Sequence, residues 1–96
     1  MTFMQDKRQL KELAGMGPAT LADLHLLGIH SIAALAQNDG EKLYRSLCRM
    51  TGKQHDICCQ DVFCCAIAQA RDPDLPRERK DWWYWSQLRK KNLPGS

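Results

Sequence analysis

Apolar residues recur at helical spacing along the chain, and glycine or proline breaks the pattern at short intervals. Residues 5–14 and the stretch from Pro18 to Gly28 predict two short helices, because their apolar residues lie three or four positions apart on one stripe. Gly28 suits the left-handed turn that commonly follows a helix. Residues 15–18 join the two helices, so we expect a tight helical hairpin here.

The corner of this hairpin, Gly15-Met16-Gly17-Pro18, favours a sharp reversal of the chain. Glycine adopts positive φ without penalty, and Pro18 fits the first position of a helix, where its missing N–H is not needed. The first N–H groups of a helix lack partners within it, and the helix dipole adds partial positive charge there. The corner is therefore a candidate anion-binding site for a ligand such as phosphate.

Further helices are predicted after the hairpin. Ser31 is expected to cap a short third helix, and Asn38 with Glu41 has the arrangement of a capping box that opens a fourth. Residues 56–71 are apolar almost all round, which predicts a buried central helix. With a last helical segment after residue 81, the chain is predicted to be all-α, a compact bundle of five to six short helices.

Length and composition fit one globular domain. We expect the 96 residues to form a single domain over 1–96, in which residues 72–96 are a surface loop followed by an aromatic and basic C-terminal segment. No run of about eighteen apolar residues occurs, and the charged N-terminus lacks the apolar block of a signal peptide. A cytoplasmic protein with no membrane partner is therefore expected.

The net charge of +3 permits nucleic-acid binding without requiring it. Residues 1–30 hold three basic and three acidic side chains, whereas residues 72–96 hold six basic and four acidic ones. Lys7, Arg8 and Lys11 share the outer face of the first predicted helix, beside the corner. They are interpreted either as a solvated helix surface or as phosphate contacts, and the sequence leaves both interpretations open.

Five cysteines, four of them in the adjacent pairs 58–59 and 64–65, raise the hypothesis of a metal or redox site. Adjacent cysteines on a helix point about 100° apart, whereas zinc sites usually draw on cysteines in turns that wrap the ion. We therefore interpret the thiols as packing residues. The three histidines are scattered, and no nucleophile is paired with a base. The sequence predicts no metal, no cofactor, no small-molecule substrate and no enzymatic activity.

Two other segments have two interpretations each. The aromatic run 82–85, WWYW, either closes the core over the cysteine-rich helix or stacks on exposed bases, and the small size of the domain favours the core with one tryptophan at an exposed edge. The turn at residues 51–56 resembles a degenerate second hairpin, with Lys53 and His55 as its polar contributors. It contains only one glycine, so the second phosphate site is the less favoured interpretation.

Residues 10–29 resemble the helix-hairpin-helix motif, in which a Gly-hydrophobic-Gly turn contacts DNA phosphates through backbone amides without reading bases. Nearly the whole chain is similar to a small bacterial family of helix-hairpin-helix proteins known by the names pathogenicity locus and mitomycin resistance. The resemblance implies a SAM-domain-like helical fold and sequence-independent DNA binding. Ala19 stands where many DNA-binding members carry Lys or Arg, so modest affinity is expected. The matching positions are Gly15, Met16 and Gly17 of the turn, Leu13 and Ile29 of the flanking core, and the closing Gly28.

We therefore predict a module that binds DNA phosphates through the corner, and a link to DNA repair or stress resistance is the corresponding expectation. The alternative is a protein–protein interaction module, in which the hairpin is structural and the tryptophan edge or the basic tail docks a partner. The predicted DNA-binding residues are Gly15, Met16, Gly17, Ala19 and Thr20, through their amides, and Lys7, Arg8 and Lys11, through their charge.

Overall fold

Five α-helices and two short 3-10 helices form the part of the chain that the computed structural model describes, residues 8–91. No strand occurs within these residues, so the prediction of an all-α bundle of short helices is confirmed. The 3-10 helices span Leu10–Glu12 and Arg77–Lys80. The α-helices are α1 (Pro18–Leu26), α2 (Ile32–Ala36), α3 (Gly40–Thr51), α4 (Cys58–Arg71) and α5 (Trp82–Lys91).

Helix α4 is the centre of the bundle, as its almost continuously apolar sequence predicts. Phe63 and Ile67 are buried, and helices α2, α3 and α5 all pack against α4. The amino end of α3 approaches closely enough that a Cβ on Gly40 would lie 2.3 Å from Cys64 Sγ. Only glycine fits there, since the Cys64 backbone nitrogen is also within 3.1 Å of that position. Helices α1 and α2 complete the core with Leu24, Ile32 and Leu35.

The first predicted helix differs from the observed structure. Gln9 and Leu13 are extended, and only Leu10–Glu12 between them forms a single 3-10 turn. The prediction of a helix over residues 5–14 is therefore wrong from residue 8 onward, and residues 5–7 lie outside the described residues. Leu10 and Leu13 are both buried, and a single turn is enough to bring two apolar residues three positions apart onto one side.

The starts of helices α2 and α3 test the predicted caps. Ser31 caps α2 as predicted, since its Oγ accepts the Ala34 N–H at 3.1 Å. The predicted capping box at Asn38 is wrong, because Asp39 is the N-cap of α3 and the Asn38 side chain instead donates to the Ala34 carbonyl at 2.7 Å. Asp39 is suited to the N-cap position because its carboxylate accepts the Lys42 N–H in the first turn of α3. The positive end of the helix dipole also stabilises a negative charge there.

Helix α5 is held to α4 by a buried ion pair. Arg89 Nε lies 2.9 Å from Asp61 Oδ1, and Arg89 Nη2 lies 3.1 Å from Asp61 Oδ2. Asp61 is only 1% exposed, and hydrogen bonding to its carboxylate raises the pKa of Arg89 above its ordinary value. The two-pronged geometry fixes the orientation of α5 as well as its position.

None of the helices among residues 8–91 has the length and apolar character needed to cross a bilayer. The prediction that the chain is one domain over 1–96 stays a prediction.

Candidate functional site

The corner between the first 3-10 helix and α1 is a tight backbone turn. Gly15 has φ +79°, the left-handed conformation that side chains disfavour. The Met16 N–H donates to the Leu13 carbonyl at 3.2 Å, and the Gly17 N–H donates to the Gly15 carbonyl at the same distance. The amides of Met16 and Gly17, which the sequence predicted as phosphate donors, therefore already have acceptors inside the corner.

A buried glutamine of α4 holds this corner in place. Gln69 Oε1 accepts the Ala14 N–H at 2.8 Å, and Gln69 Nε2 donates to the Ala14 carbonyl at 3.0 Å. The Gln69 side chain is buried, and its Nε2 also lies 3.5 Å from Cys65 Sγ. These paired bonds replace the helical bonds that Ala14 would have made in the predicted first helix. This role of Gln69 could not be predicted from the sequence, because its partner lies 55 positions away.

The start of α1 has open donors. Gly17 is the N-cap, and no side chain among residues 8–91 caps this end. The first helical hydrogen bond of α1 runs from the Leu21 N–H to the Gly17 carbonyl, at 3.0 Å. The N–H groups of Ala19 and Thr20 come before this bond and have no acceptor within the helix. Gly17 has φ −83°, which any residue adopts, and a Cβ placed there would meet no atom within 4 Å. The Gly17 backbone is therefore approachable, and a glycine is not needed there for the fold.

Two of the three predicted cations, Arg8 and Lys11, lie within the described residues, and their surroundings differ. Arg8 Nη1 donates to the Gln69 carbonyl at 2.9 Å and Nη2 to the Ala70 carbonyl at 3.4 Å, so this side chain caps the carboxyl end of α4. Lys11 is exposed and lines a groove of about 340 Å³ together with Arg8, His25 and His30. The imidazole rings of His25 and His30 lie 4.9 Å apart in this groove. Lys7 lies outside the described residues. The arrangement favours a structural role for Arg8 and leaves Lys11 at the surface.

A second groove brings cations from the C-terminal half to the corner. It has a volume of about 480 Å³ and is lined by Ala14, Gly15, Arg77, Lys80, Asp81 and Trp82. Neither Arg77 nor Lys80 forms an ion pair with a described residue. These two residues are not among the predicted DNA-binding residues, and their only signal in the sequence is the excess of basic over acidic side chains in residues 72–96.

The tryptophans are more exposed than predicted. Trp82 is 39% exposed and Trp83 is 57% exposed, whereas Ser86 is the buried residue of α5. The prediction that the aromatic run closes the core with one exposed tryptophan is therefore wrong. The physical reason is that Asp61–Arg89 and Ser86 turn a different face of α5 toward α4.

The turn at residues 51–56 lacks the open donors of the first corner. Gly52 has φ +70° and ends α3, and the chain then runs to α4. At the start of α4, Asp56 Oδ1 accepts the Cys58 N–H at 3.0 Å. This carboxylate already occupies a donor of the first turn and would repel a phosphate, so the geometry does not favour a second phosphate site here.

Several of the cysteine thiols have a raised pKa. Burial raises the pKa of Cys64 and of Cys65 to about 11, and the neighbouring Asp56 carboxylate raises that of Cys58. All the cysteines are free, and no group of three or more metal-ligating side chains occurs among residues 8–91. A raised pKa keeps a thiol protonated and therefore a poor nucleophile. The interpretation of the cysteines as packing residues stays a prediction.

The described residues thus form a small all-helical fold in which α1 begins without a side-chain cap and a groove with two cations reaches Gly15 of the corner. Comparison with known proteins then gives the family: residues 4–91 match the family described as Cdd1, pathogenicity locus, and the chain belongs to that family. The chain is also 30% identical over 90 residues to the mitomycin resistance protein McrB of Streptomyces lavendulae, covering 94% of this chain and 82% of that protein. No solved structure matches the chain. The family resemblance drawn from the sequence is confirmed, and the helix-hairpin-helix assignment stays a prediction.

Proposed function

We propose that the protein is a non-catalytic module of the bacterial cytoplasm that binds DNA through its backbone phosphates, independently of sequence. The observation that carries this proposal is the uncapped start of α1, where the N–H groups of Ala19 and Thr20 lie beyond an N-cap glycine that has no side chain. A phosphate oxygen would accept these donors and would be favoured by the helix dipole. The name of the Streptomyces relative points to resistance as the process in which such a module acts.

The charges around the corner support the same ligand. Lys11 lines the groove that reaches Leu21 of α1, whereas Arg77 and Lys80 line the groove that reaches Gly15 of the corner. Thr20, in the first turn of α1, also carries a hydroxyl donor. We assign Arg8 a positioning role, because its guanidinium bonds to the carboxyl end of α4. With so few cations, binding should be modest and should weaken steeply as salt is added.

The test is a titration of a labelled duplex at low and moderate salt with two variants at the start of α1 and one control variant. Gly17→Asp should abolish binding, because its carboxylate occupies the open donors and repels phosphate, while the melting temperature stays the same or rises since aspartate is a preferred N-cap. Ala19→Lys should tighten binding by about tenfold and steepen the salt dependence, because it adds one cation at the site. Gln37→Glu, at an exposed position that lines neither groove, should change neither property.

A second candidate function is a protein–protein interaction module, which the exposed Trp83 and Met50, each 57% exposed, favour. No duplex binding by the wild-type protein at low salt, or equal binding by Gly17→Asp, would refute the DNA proposal and favour this alternative.

A further inference from the structure

The four consecutive aromatic residues of α5 divide into two pairs. Tyr84 and Trp85 are half-buried and pack edge to face with ring centroids 5.4 Å apart. Trp85 Nε1 donates to the Arg79 carbonyl at 2.8 Å, and the Arg79 guanidinium lies 5.7 Å from the centre of the Tyr84 ring. These contacts join α5 to the preceding 3-10 helix, so Tyr84 and Trp85 have a structural role.

Trp82 and Trp83 have no equivalent role. Both lie in the first turn of α5 and are exposed, although indole is one of the largest apolar groups that a chain can bury. Trp82 lines the 480 Å³ groove beside Gly15, whereas Trp83 does not. The groove therefore presents an aromatic group, two cations and the exposed Gly15 within one concave surface.

The size and charge of this groove restrict its ligand. Its volume falls in the range of about 300 to 1,000 Å³ that small-molecule sites occupy, enough for one nucleobase with its sugar. Two cationic side chains, Arg77 and Lys80, line the groove together with one carboxylate, that of Asp81. The Asp81 Oδ1 atom accepts the Trp83 N–H at 3.1 Å. With two cations and one carboxylate, the groove carries a net positive charge, which suits an anionic ligand with an aromatic part.

We propose that Trp82 stacks on one unpaired nucleobase while Arg77 and Lys80 hold the adjoining phosphates. A base inside a duplex is stacked on both faces and cannot offer one to an indole, so the preferred DNA has a gap or a single-stranded segment. This inference rests on the proposed function and deepens it, because it names the form of DNA that the corner and the groove bind together.

The experiment compares two closed DNA dumbbells of the same sequence, one intact and one with a short single-stranded gap. Closed ends remove stacking on a blunt terminus, so any difference in dissociation constant reports on the gap. The wild-type protein should bind the gapped dumbbell about tenfold more tightly than the intact one, since stacking on one base contributes on this scale.

Three variants identify the stacking residue. Trp82→Leu should lose the preference for the gap and keep the affinity for the intact dumbbell, whereas Trp82→Phe should retain most of the preference because it keeps an aromatic face. Trp83→Leu is the matched control, and it should retain the preference because Trp83 does not line the groove. Circular dichroism melting of each variant verifies the fold.

Equal binding of both dumbbells, or a preference that survives in Trp82→Leu, overturns the stacking inference. If the intact dumbbell is still bound and that binding is lost in Gly17→Asp, the proposed function stands without the inference. Failure of the protein to bind either dumbbell overturns both.

Discussion

At the scale of single residues, Gln69 determines the shape of the candidate site although it does not belong to it. Its amide makes both a donor and an acceptor bond to the backbone of Ala14, which precedes the Gly15 turn. A buried polar side chain whose two ends are both satisfied specifies one arrangement, because any shift of the corner would leave buried polar groups without partners. Gln69 of the central helix α4 therefore positions the corner from which α1 begins.

Replacing Gln69 by Leu should therefore destabilise the fold by about 1 to 3 kcal/mol, since two hydrogen bonds to the backbone of Ala14 would be lost. Gln60→Leu, a half-buried position on the same helix, is the control and should cost less than about 1 kcal/mol. Urea unfolding monitored by circular dichroism measures both values. A cost for Gln69→Leu no larger than that of Gln60→Leu would show that the corner does not depend on this amide.

At the scale of elements, the Asp61–Arg89 pair determines whether α5 stays on the bundle. Replacing Arg89 by Met would leave the buried Asp61 carboxylate unpaired, and we expect a loss of about 3 kcal/mol. Arg45→Met removes the partner of Glu41 in an exposed pair with a 2.6 Å separation, and should cost less than about 0.5 kcal/mol.

All three tryptophans lie in α5, so their fluorescence reports its attachment. We expect Arg89→Met to lower the urea midpoint measured by fluorescence, and the double variant Asp61→Leu/Arg89→Met to recover much of the loss, since the unpaired charge is gone. Equal midpoints for Arg89→Met and Arg45→Met would contradict the proposed attachment.

Some of the elements could be predicted from the local sequence, and others could not. The spans of α3 and α4, the Ser31 cap and the buried character of α4 follow from local periodicity and side-chain chemistry, so the pattern predicts them. The missing first helix and the exposed tryptophans depend instead on Gln69 and Arg89, which act across 55 and 28 positions. In the candidate site, the corner and its glycines were predictable from local spacing, but the second groove, with Arg77 and Lys80, depends on distant packing.

At the scale of the whole molecule, the buried thiols make stability depend on alkaline pH. In the folded protein burial raises the pKa of Cys64 and Cys65 from the ordinary thiol value of 9.0 to about 11. Between these values the native state keeps protons that the unfolded state has released, so the free energy of unfolding falls as pH rises. This contribution is complete below about pH 9 and is lost progressively between about pH 9 and pH 11.

The melting temperature should therefore stay level from about pH 7 to about pH 8.5 and then decline toward pH 10.5, with the decline reversed on return to neutral pH. A double variant, Cys64→Ala/Cys65→Ala, should have a lower melting temperature at neutral pH, because it removes two packed side chains, and a shallower decline, because two groups that link folding to pH are gone. Melting curves by circular dichroism under reducing conditions give both slopes. Identical slopes would mean that other groups, such as Tyr44, whose pKa burial also raises, cause the alkaline loss.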